Sequence, residues 1–452
     1  MSRRVTRRGL FAAGGLAAVA AAAAAWLARD AAERGGGPSA AAGAGGGEPG
    51  RAGAPAAGPG RDPAADAGRP LPPVRGLPAA QHAWDAALRR DEHGNPLLPR
   101  HHRILLLDLA RAPDPDGATQ VEQALRRLEH RHRHGPDGLL TLLAWGPAWF
   151  RAIGRRSPVP VAAPLDADEL PEIDDVACCL LLAADDERRL DAIERELVGG
   201  DAAAARGAAG GAGAAGDGAF AGVLRLRERR SGFAGAGLPA RAQRAAPDRL
   251  GLRRPIAADA PLFMGFRSGL RRNQATEADV TIADGPLAGG TTLHLSAIAL
   301  ELRSWYELPE RDRVARMHAP QRTPAQVARF ADDAPPPRES VAATAARHGR
   351  VGHVQALATV RRDGRPLILR RDVNTVDDGG PGVHFVALQR SIDDFVATRR
   401  AMTAARSRAA PQLTGQLNNG INEWMRVTRR ANFVVPPRRL RAFPLLEGVD
   451  RG

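Results

Sequence analysis

The chain has 452 residues, 44% of them hydrophobic, with 64 basic against 50 acidic side chains and a net charge of +14; this is enough apolar material to bury a core and excludes a wholly disordered chain. Every basic residue is arginine, the arginines are spread along the whole chain, and aromatics make up only 4%, which argues against the concentrated, aromatic-lined basic patch of a nucleic-acid binder. The two cysteines, Cys178 and Cys179, are adjacent in an apolar run; neighbours on a strand point to opposite faces, so they read as two small buried hydrophobes and supply neither a disulfide framework nor a cysteine metal site.

Residues 1–30 read as an export signal. Arg3-Arg4 and Arg7-Arg8 precede Gly9-Leu10-Phe11 and an apolar stretch ending at Leu27, and Thr6-Arg7-Arg8-Gly9-Leu10-Phe11 fits a twin-arginine signal. The expected partner is the twin-arginine translocase, and the expected location is periplasmic, extracellular or membrane-anchored, with cleavage or anchoring left open. Residues 31–75 are rich in Gly, Ala and Pro and read as a flexible linker with too little apolar bulk to fold. A second Gly/Ala-rich stretch, 199–218, reads as a mobile surface loop.

Between these segments the pattern alternates strands and helices. Residues 103–109 form an apolar run fit for a buried strand, 118–130 have helical spacing, and 138–145 and 176–184 are further strands. Residues 185–198 form an amphipathic helix with Leu190, Ile193 and Leu197 inward, and 219–226 is a fourth strand. This order is the ferredoxin-like pattern. The second half repeats the rhythm, with strands at 292–302, 351–360 and 382–389 and a helix at 392–402. The expected fold class is α+β, two ferredoxin-like halves packed together, with residues 76–235 as the N-terminal half and 236–452 as the C-terminal half.

Three features carry chemistry, in order. Met264-Gly265-Phe266-Arg267-Ser268-Gly269 is a Gly-x-x-x-Gly turn, Gly352-His353-Val354-Gln355 carries a lone His, and Leu369-Arg370-Arg371 follows it. A neutral imidazole can ligate a metal. A guanidinium, always charged and rich in donors, can stabilise an oxygen that gains charge without exchanging a proton. Glu129-His130-Arg131-His132-Arg133-His134 reads as the basic end of a helix, where interleaved arginines oppose a metal ion.

In this order the turn, the His and the Arg resemble the haem site of dye-decolorising (Dyp-type) peroxidases. The resemblance extends through 231–239, 289–305, 385–395 and 431–437, covering about residues 100–445 and strongest after 230. It implies the fold of that family in the dimeric α+β barrel superfamily, haem b as cofactor, and hydrogen peroxide and an organic reductant as substrates; it also admits a homo-oligomer. Residue by residue it makes His353 the iron ligand, Gly265 and Gly269 the turn against the cofactor, and Arg370 the group that stabilises peroxide, with Arg371 as the alternative if the register slips by one. His294, on the strand beside the site, is a candidate for a second haem contact. The chain departs from the family where Ser268 stands in place of the distal aspartate, the proton shuttle, and where Thr291-Thr292 replaces Ser-Tyr. A serine hydroxyl has no pKa near neutrality, so the sequence leaves open a peroxidase that works through Arg370, water or a nearby acid (Glu277, Asp279 or Asp284), and a haem carrier or non-catalytic scaffold of the same fold.

Overall fold

A computed structural model describes residues 71–166, 169–200, 217–267, 270–329, 340–402 and 419–448. The expected export signal, the linker up to residue 70, most of the Gly/Ala-rich stretch at 199–218, and Ser268 and Gly269 lie outside the described residues. The architecture below belongs to one compact unit, Pro70–Gln243 with Pro247–Gly452. Among the described residues no helix is long and apolar enough to cross a membrane.

The first half contains β1 (His101–Leu109), α1 (Pro115–Arg131), β2 (Leu140–Trp145), β3 (Cys178–Ala184), α2 (Glu187–Val198) and β4 (Leu224–Phe233). Its strands lie in the order β4-β1-β3-β2, all antiparallel, which is the ferredoxin-like arrangement. The second half contains β5 (Thr291–Leu300), α3 (His353–Leu357), β6 (Ile368–Arg370), β7 (Val373–Thr375), β8 (Gly382–Gln389), α4 (Ile392–Arg400) and β9 (Met425–Val435). Here β6 and β7 together pair with β8, β8 with β5, and β5 with β9. The same strand order therefore appears twice.

The halves are joined edge to edge. One residue pair, Val434↔Trp145, links β9 to β2, and one, Asn374↔Phe233, links β7 to β4. These two seams close the sheet into a barrel, so no long strand edge is left exposed between the halves. A buried amide reinforces each seam. Gln81 donates to the carbonyls of Leu143 (3.0 Å) and Pro436 (2.9 Å) and accepts from the Leu143 N–H (3.0 Å). Asn374, fully buried, donates to the carbonyl of Phe233 (3.0 Å).

Closure explains why the first three strands read as continuous apolar runs: both faces are covered. Leu105, Leu107, Leu143, Cys178 and Leu180 pack outward under Val121, Leu125 and Leu128 of α1 and Leu190, Ile193 and Leu197 of α2. Ile104, Leu106, Leu142, Cys179 and Leu181 point into the barrel, where they meet Leu293, Leu295, Leu388 and Phe433 from the second half. Cys178 and Cys179 thus lie in different cores, both free and buried.

Two expected elements are corrected. The fourth strand runs over Leu224–Phe233 rather than 219–226; its charged stretch is invisible to a hydrophobicity argument because the charges are paired. Arg230, 2% exposed, bonds Asp174 (2.6 Å) and Glu228 (2.7 Å), and Arg429 of β9 reaches the same two acids (3.1 and 3.3 Å). The same charges hide the first half of β9. Residues 351–360, expected as a strand, instead form the short helix α3. Its start is set by tertiary contacts: the Gln355 N–H donates to the carbonyl of His318 (3.3 Å), and the Gln355 amide bonds Thr344 Oγ1 (2.8 Å).

Candidate functional site

The two adjacent arginines part company at the end of β6. Leu369 opposes Leu388 and points into the barrel, so Arg370, opposite Ala387, points out. Arg371 points in again. Its guanidinium lies 4.1 Å above the Trp84 ring and donates to the carbonyl of His82 (2.6 Å) and to Glu277 Oε1 (2.9 Å). Arg371 therefore packs the barrel interior, and Arg370 alone of the two faces the cleft described below.

Arg370 is held by the segment that follows the Gly-x-x-x-Gly turn. Its N–H (2.8 Å) and Nε (3.4 Å) donate to Gln274 Oε1, Nη2 donates to the carbonyl of Asn273 (3.3 Å), and Gln274 returns a bond to the Arg370 carbonyl (2.8 Å). The Ala275 N–H donates to the Ile368 carbonyl (3.0 Å), laying this segment along β6. Burial lowers the Arg370 pKa, and the nearby Asp372 charge opposes that shift. The turn itself is fixed from beneath: Tyr306 Oη donates to the Phe263 carbonyl (2.7 Å), Trp305 Nε1 to the Met264 carbonyl (3.0 Å), and the Phe263 N–H to Asn374 Oδ1 (2.7 Å). Gly265 has φ +85°, and a Cβ there would stand 3.3 Å from Tyr306 Oη, so glycine is the residue that this left-handed position accepts without strain. Ser268 and Gly269 lie outside the described residues.

Helix α3 faces this assembly. Val354 and Leu357 of α3, with Val360, Leu367, Ile368 and Arg370, line an open cleft. His353 begins the helix, its backbone wedged between two close approaches. A Cβ on Gly352 would lie 2.0 Å from the His318 carbonyl oxygen, and one on Gly420 would lie 3.1 Å from the Cα of His353. Burial, then the charges of Arg370, Arg399 and His318, push the His353 imidazole down to about 3. At neutral pH it is uncharged, the form that ligates iron. His353 begins the helix whose Val354 and Leu357 line the cleft, and Arg370 lines it from the end of β6. An imidazole and a guanidinium are donor types that suit a haem, with His353 as the residue that would ligate it and Arg370 as the polar group nearby.

His294 is excluded from that role by its own bonds. Its ring nitrogens bond Asn432 Oδ1 (2.8 Å) and Ser296 Oγ (2.7 Å), and the ring stacks on Phe395 at 3.5 Å. Among the described residues no group of three or more His, Cys, Asp or Glu side chains is placed to hold a metal ion, and His130 at the end of α1 bonds the Pro72 carbonyl (2.8 Å). The acids suggested by sequence proximity to the turn are also committed. Glu277 accepts from the N–H groups of Trp84 (2.5 Å) and Asp85 (2.9 Å) as well as from Arg371, Asp279 accepts from Thr276 (2.7 Å) and Arg365 (2.9 Å), and Asp284 is exposed. Sequence reasoning missed Gln274, Asn374 and Tyr306 as supports of the site, because each acts on a backbone group distant in the chain.

His353 belongs to a set of buried and half-buried histidines whose pKa values fall together. Burial lowers His82, His101 and His318 to about 4 and His102, His294 and His353 to about 3. The unfolded chain, with histidines near 6.5, binds protons that the folded chain refuses. Stability is therefore fully present above pH 6.5 and is lost as pH falls toward 4, by up to about 1.4 kcal/mol per pH unit for each histidine. Urea unfolding at pH 7 and pH 5 should differ by several kcal/mol; equal midpoints would contradict this burial pattern.

The model of a family of unknown function (DUF7405) matches residues 99–437. No curated protein matches the chain. Among solved structures, a DypB variant in complex with manganese aligns with a TM-score of 0.52 at 13% identity, over 82% of this chain and 99% of that one. Two DypB variants of Rhodococcus jostii RHA1 in complex with heme give TM-scores of 0.51 and 0.50, both at 13% identity, covering 76% and 81% of this chain and 95% and 98% of theirs. At these identities the likeness is one of fold.

Proposed function

The chain belongs to the DUF7405 family and has a Dyp-type peroxidase-like fold, and on that premise we propose that it is an exported haem protein that reduces hydrogen peroxide with electrons from an organic donor. The observation that carries the proposal is that the helix beginning at His353 and the Arg370 side chain border one cleft, with the Arg370 charge acting on the His353 imidazole. Bound haem iron would supply the electron transfer: peroxide takes up two electrons and two protons to give two waters, and the organic donor supplies the electrons. The chain's own part is positional and electrostatic. His353 would hold the cofactor from α3. Arg370, fixed by Asn273 and Gln274, donates hydrogen bonds to peroxide and stabilises the charge on the departing oxygen. Export through the twin-arginine translocase is proposed on Arg7-Arg8 and the apolar stretch after them.

The test is to supply residues 73–452 with haem and record the absorption spectrum beside that of His353→Ala. The expected result is a Soret band at about one haem per chain that collapses in the variant. A parent chain without a Soret band would overturn the proposal. Ser268 in place of an acid favours a second reading, a haem carrier without turnover; it predicts the same Soret band but no peroxide-dependent oxidation of any donor.

A further inference from the structure

A second arginine, Arg361, lines the cleft together with Arg370, and the local backbone puts it there. Arg361–Arg362 pairs with Arg365–Pro366 in a hairpin closed by Asp363 and Gly364, whose φ values are 49° and 76°. Asp-Gly with two positive φ angles makes the tight two-residue turn that keeps hairpin strands in register. Neighbours on a strand point to opposite sides and cross-strand partners to the same side. Arg362 and Arg365, which face each other, therefore share one side, where they pair with Asp394 (2.6 Å) and Asp279 (2.9 Å). Arg361 and Pro366 share the other, and both line the cleft.

The two cleft arginines are held by neutral acceptors only. Arg361 Nε donates to the Ala358 carbonyl (3.3 Å) and Nη1 to the Gly364 carbonyl (3.0 Å). Arg370 is held by Gln274 Oε1 and the Asn273 carbonyl. Among the described residues neither guanidinium forms an ion pair, and the Asp372 charge acts on Arg370 without pairing with it. Elsewhere the fold closes arginines in pairs on a carboxylate. Arg399 and Arg430 share Glu169 (2.6 and 2.8 Å), and Arg230 and Arg429 share Asp174 (2.6 and 3.1 Å). Such charge-assisted bonds are about twice as strong as neutral ones. The cleft has the two guanidiniums, and its other polar lining residues, Asn273 and Thr398, are neutral. Two positive charges draw an anion, while Val354, Leu357 and Val360 beside them offer an apolar surface that a compact inorganic ion would leave wet.

We propose that this cleft is a binding site for an organic carboxylate, its oxygens held by Arg361 and Arg370 and its apolar body lying on Val354, Leu357 and Val360. The carboxylate belongs either to a separate organic acid or to one of the acid side groups of haem; the chemistry that recognises it is the same. The proposal goes beyond the haem reading and does not rest on it, because an acid bound to the chain without haem is enough to establish it.

The experiment titrates benzoate into the full chain without haem by calorimetry, beside neutral benzamide and inorganic phosphate. Benzoate should bind saturably, benzamide and phosphate should bind at least ~10-fold more weakly, and Arg361→Gln and Arg370→Gln should each weaken benzoate by ~10–100-fold, the range that a hydrogen bond to a charged group implies. Arg362→Gln, on the other side of the hairpin, should bind as the parent does. Circular dichroism checks that each variant is folded; where one is not, the other variant and the benzamide comparison decide. No saturable benzoate binding in the parent, equal binding of benzamide, or parent-like affinity in a folded Arg361→Gln chain overturns the proposal. Repeating the titration on the haem-loaded chain separates the two sources. Benzoate binding lost on loading makes a haem carboxylate the occupant, and binding retained makes it a separate acid. A chain that binds benzoate but gives no Soret band with haem overturns the haem reading and leaves this one standing.

Discussion

Gly352→Ala is expected to cost about 3 kcal/mol or more and to abolish the His353 site. Gly352 has φ −90° and ψ 149°, an extended conformation that any residue adopts, so backbone freedom is not what glycine supplies here. What it supplies is space. A Cβ would stand 2.0 Å from the His318 carbonyl oxygen, 2.3 Å from its carbon and 2.7 Å from the Ala319 nitrogen. These are backbone atoms and cannot rotate aside. Relief requires moving the 318–319 backbone or the start of α3, and overpacking of this kind typically costs ~1–3 kcal/mol and occasionally more. Either movement breaks the bond from the Gln355 N–H to the His318 carbonyl and displaces His353, the next residue. Gly349 provides the contrast. It has φ +64°, and a Cβ there would meet nothing within 4 Å, so Gly349→Ala should cost only ~1 kcal/mol through its left-handed backbone and leave the site intact. Urea unfolding with a haem titration on both variants checks this. A Gly352→Ala chain with parent-like stability and a parent-like Soret band would show that the close approach at His318 does not set the site.

The same stretch shows what a sequence can and cannot disclose. In Val351-Gly352-His353-Val354-Gln355 the β-branched residues suggest a strand, yet the chain turns into a five-residue helix because Gly352 lets it pass under His318 and Gln355 ties it to Thr344. Those partners are distant in sequence and invisible to any local pattern. By contrast, β1, β2 and β3 were legible because their two faces are buried in two different cores, which leaves an unbroken apolar run. β4 and the first half of β9 were not, since Arg230, Arg429, Glu228 and Asp174 pair with one another inside the structure and look like surface in the sequence. The ordered turn, His and Arg gave His353 and Arg370 as candidates, and the structure brings the His353 helix and Arg370 to one cleft. The choice between Arg370 and Arg371 was beyond the sequence, because a one-residue slip on a strand exchanges its two faces.

That exchange makes the adjacent arginines behave oppositely. Arg371→Ala is expected to cost about 3–5 kcal/mol, the usual consequence of removing one partner of a buried ion pair. Glu277 would keep its bonds to the Trp84 and Asp85 N–H groups but lose the charge that opposes its burial. Burial already raises the Glu277 pKa, and the Arg371 charge is the main influence holding it down, so the variant's remaining stability should also shift with pH. A carboxylate raised further binds a proton in the folded state, and the penalty of the substitution grows as pH rises above the usual carboxylate range. Trp84 loses its cation at the same time. Glu277→Gln in the same chain should recover part of the loss by removing the stranded charge. Arg370→Ala removes bonds to Asn273 and Gln274 only, about 1–2 kcal/mol, with the Soret band retained and peroxide turnover lost. Urea unfolding at two pH values, with a haem titration, measures all three variants. If Arg370→Ala unfolds as readily as Arg371→Ala, then Arg370 is a packing residue like its neighbour, and the cleft it lines loses its claim to be the peroxide site.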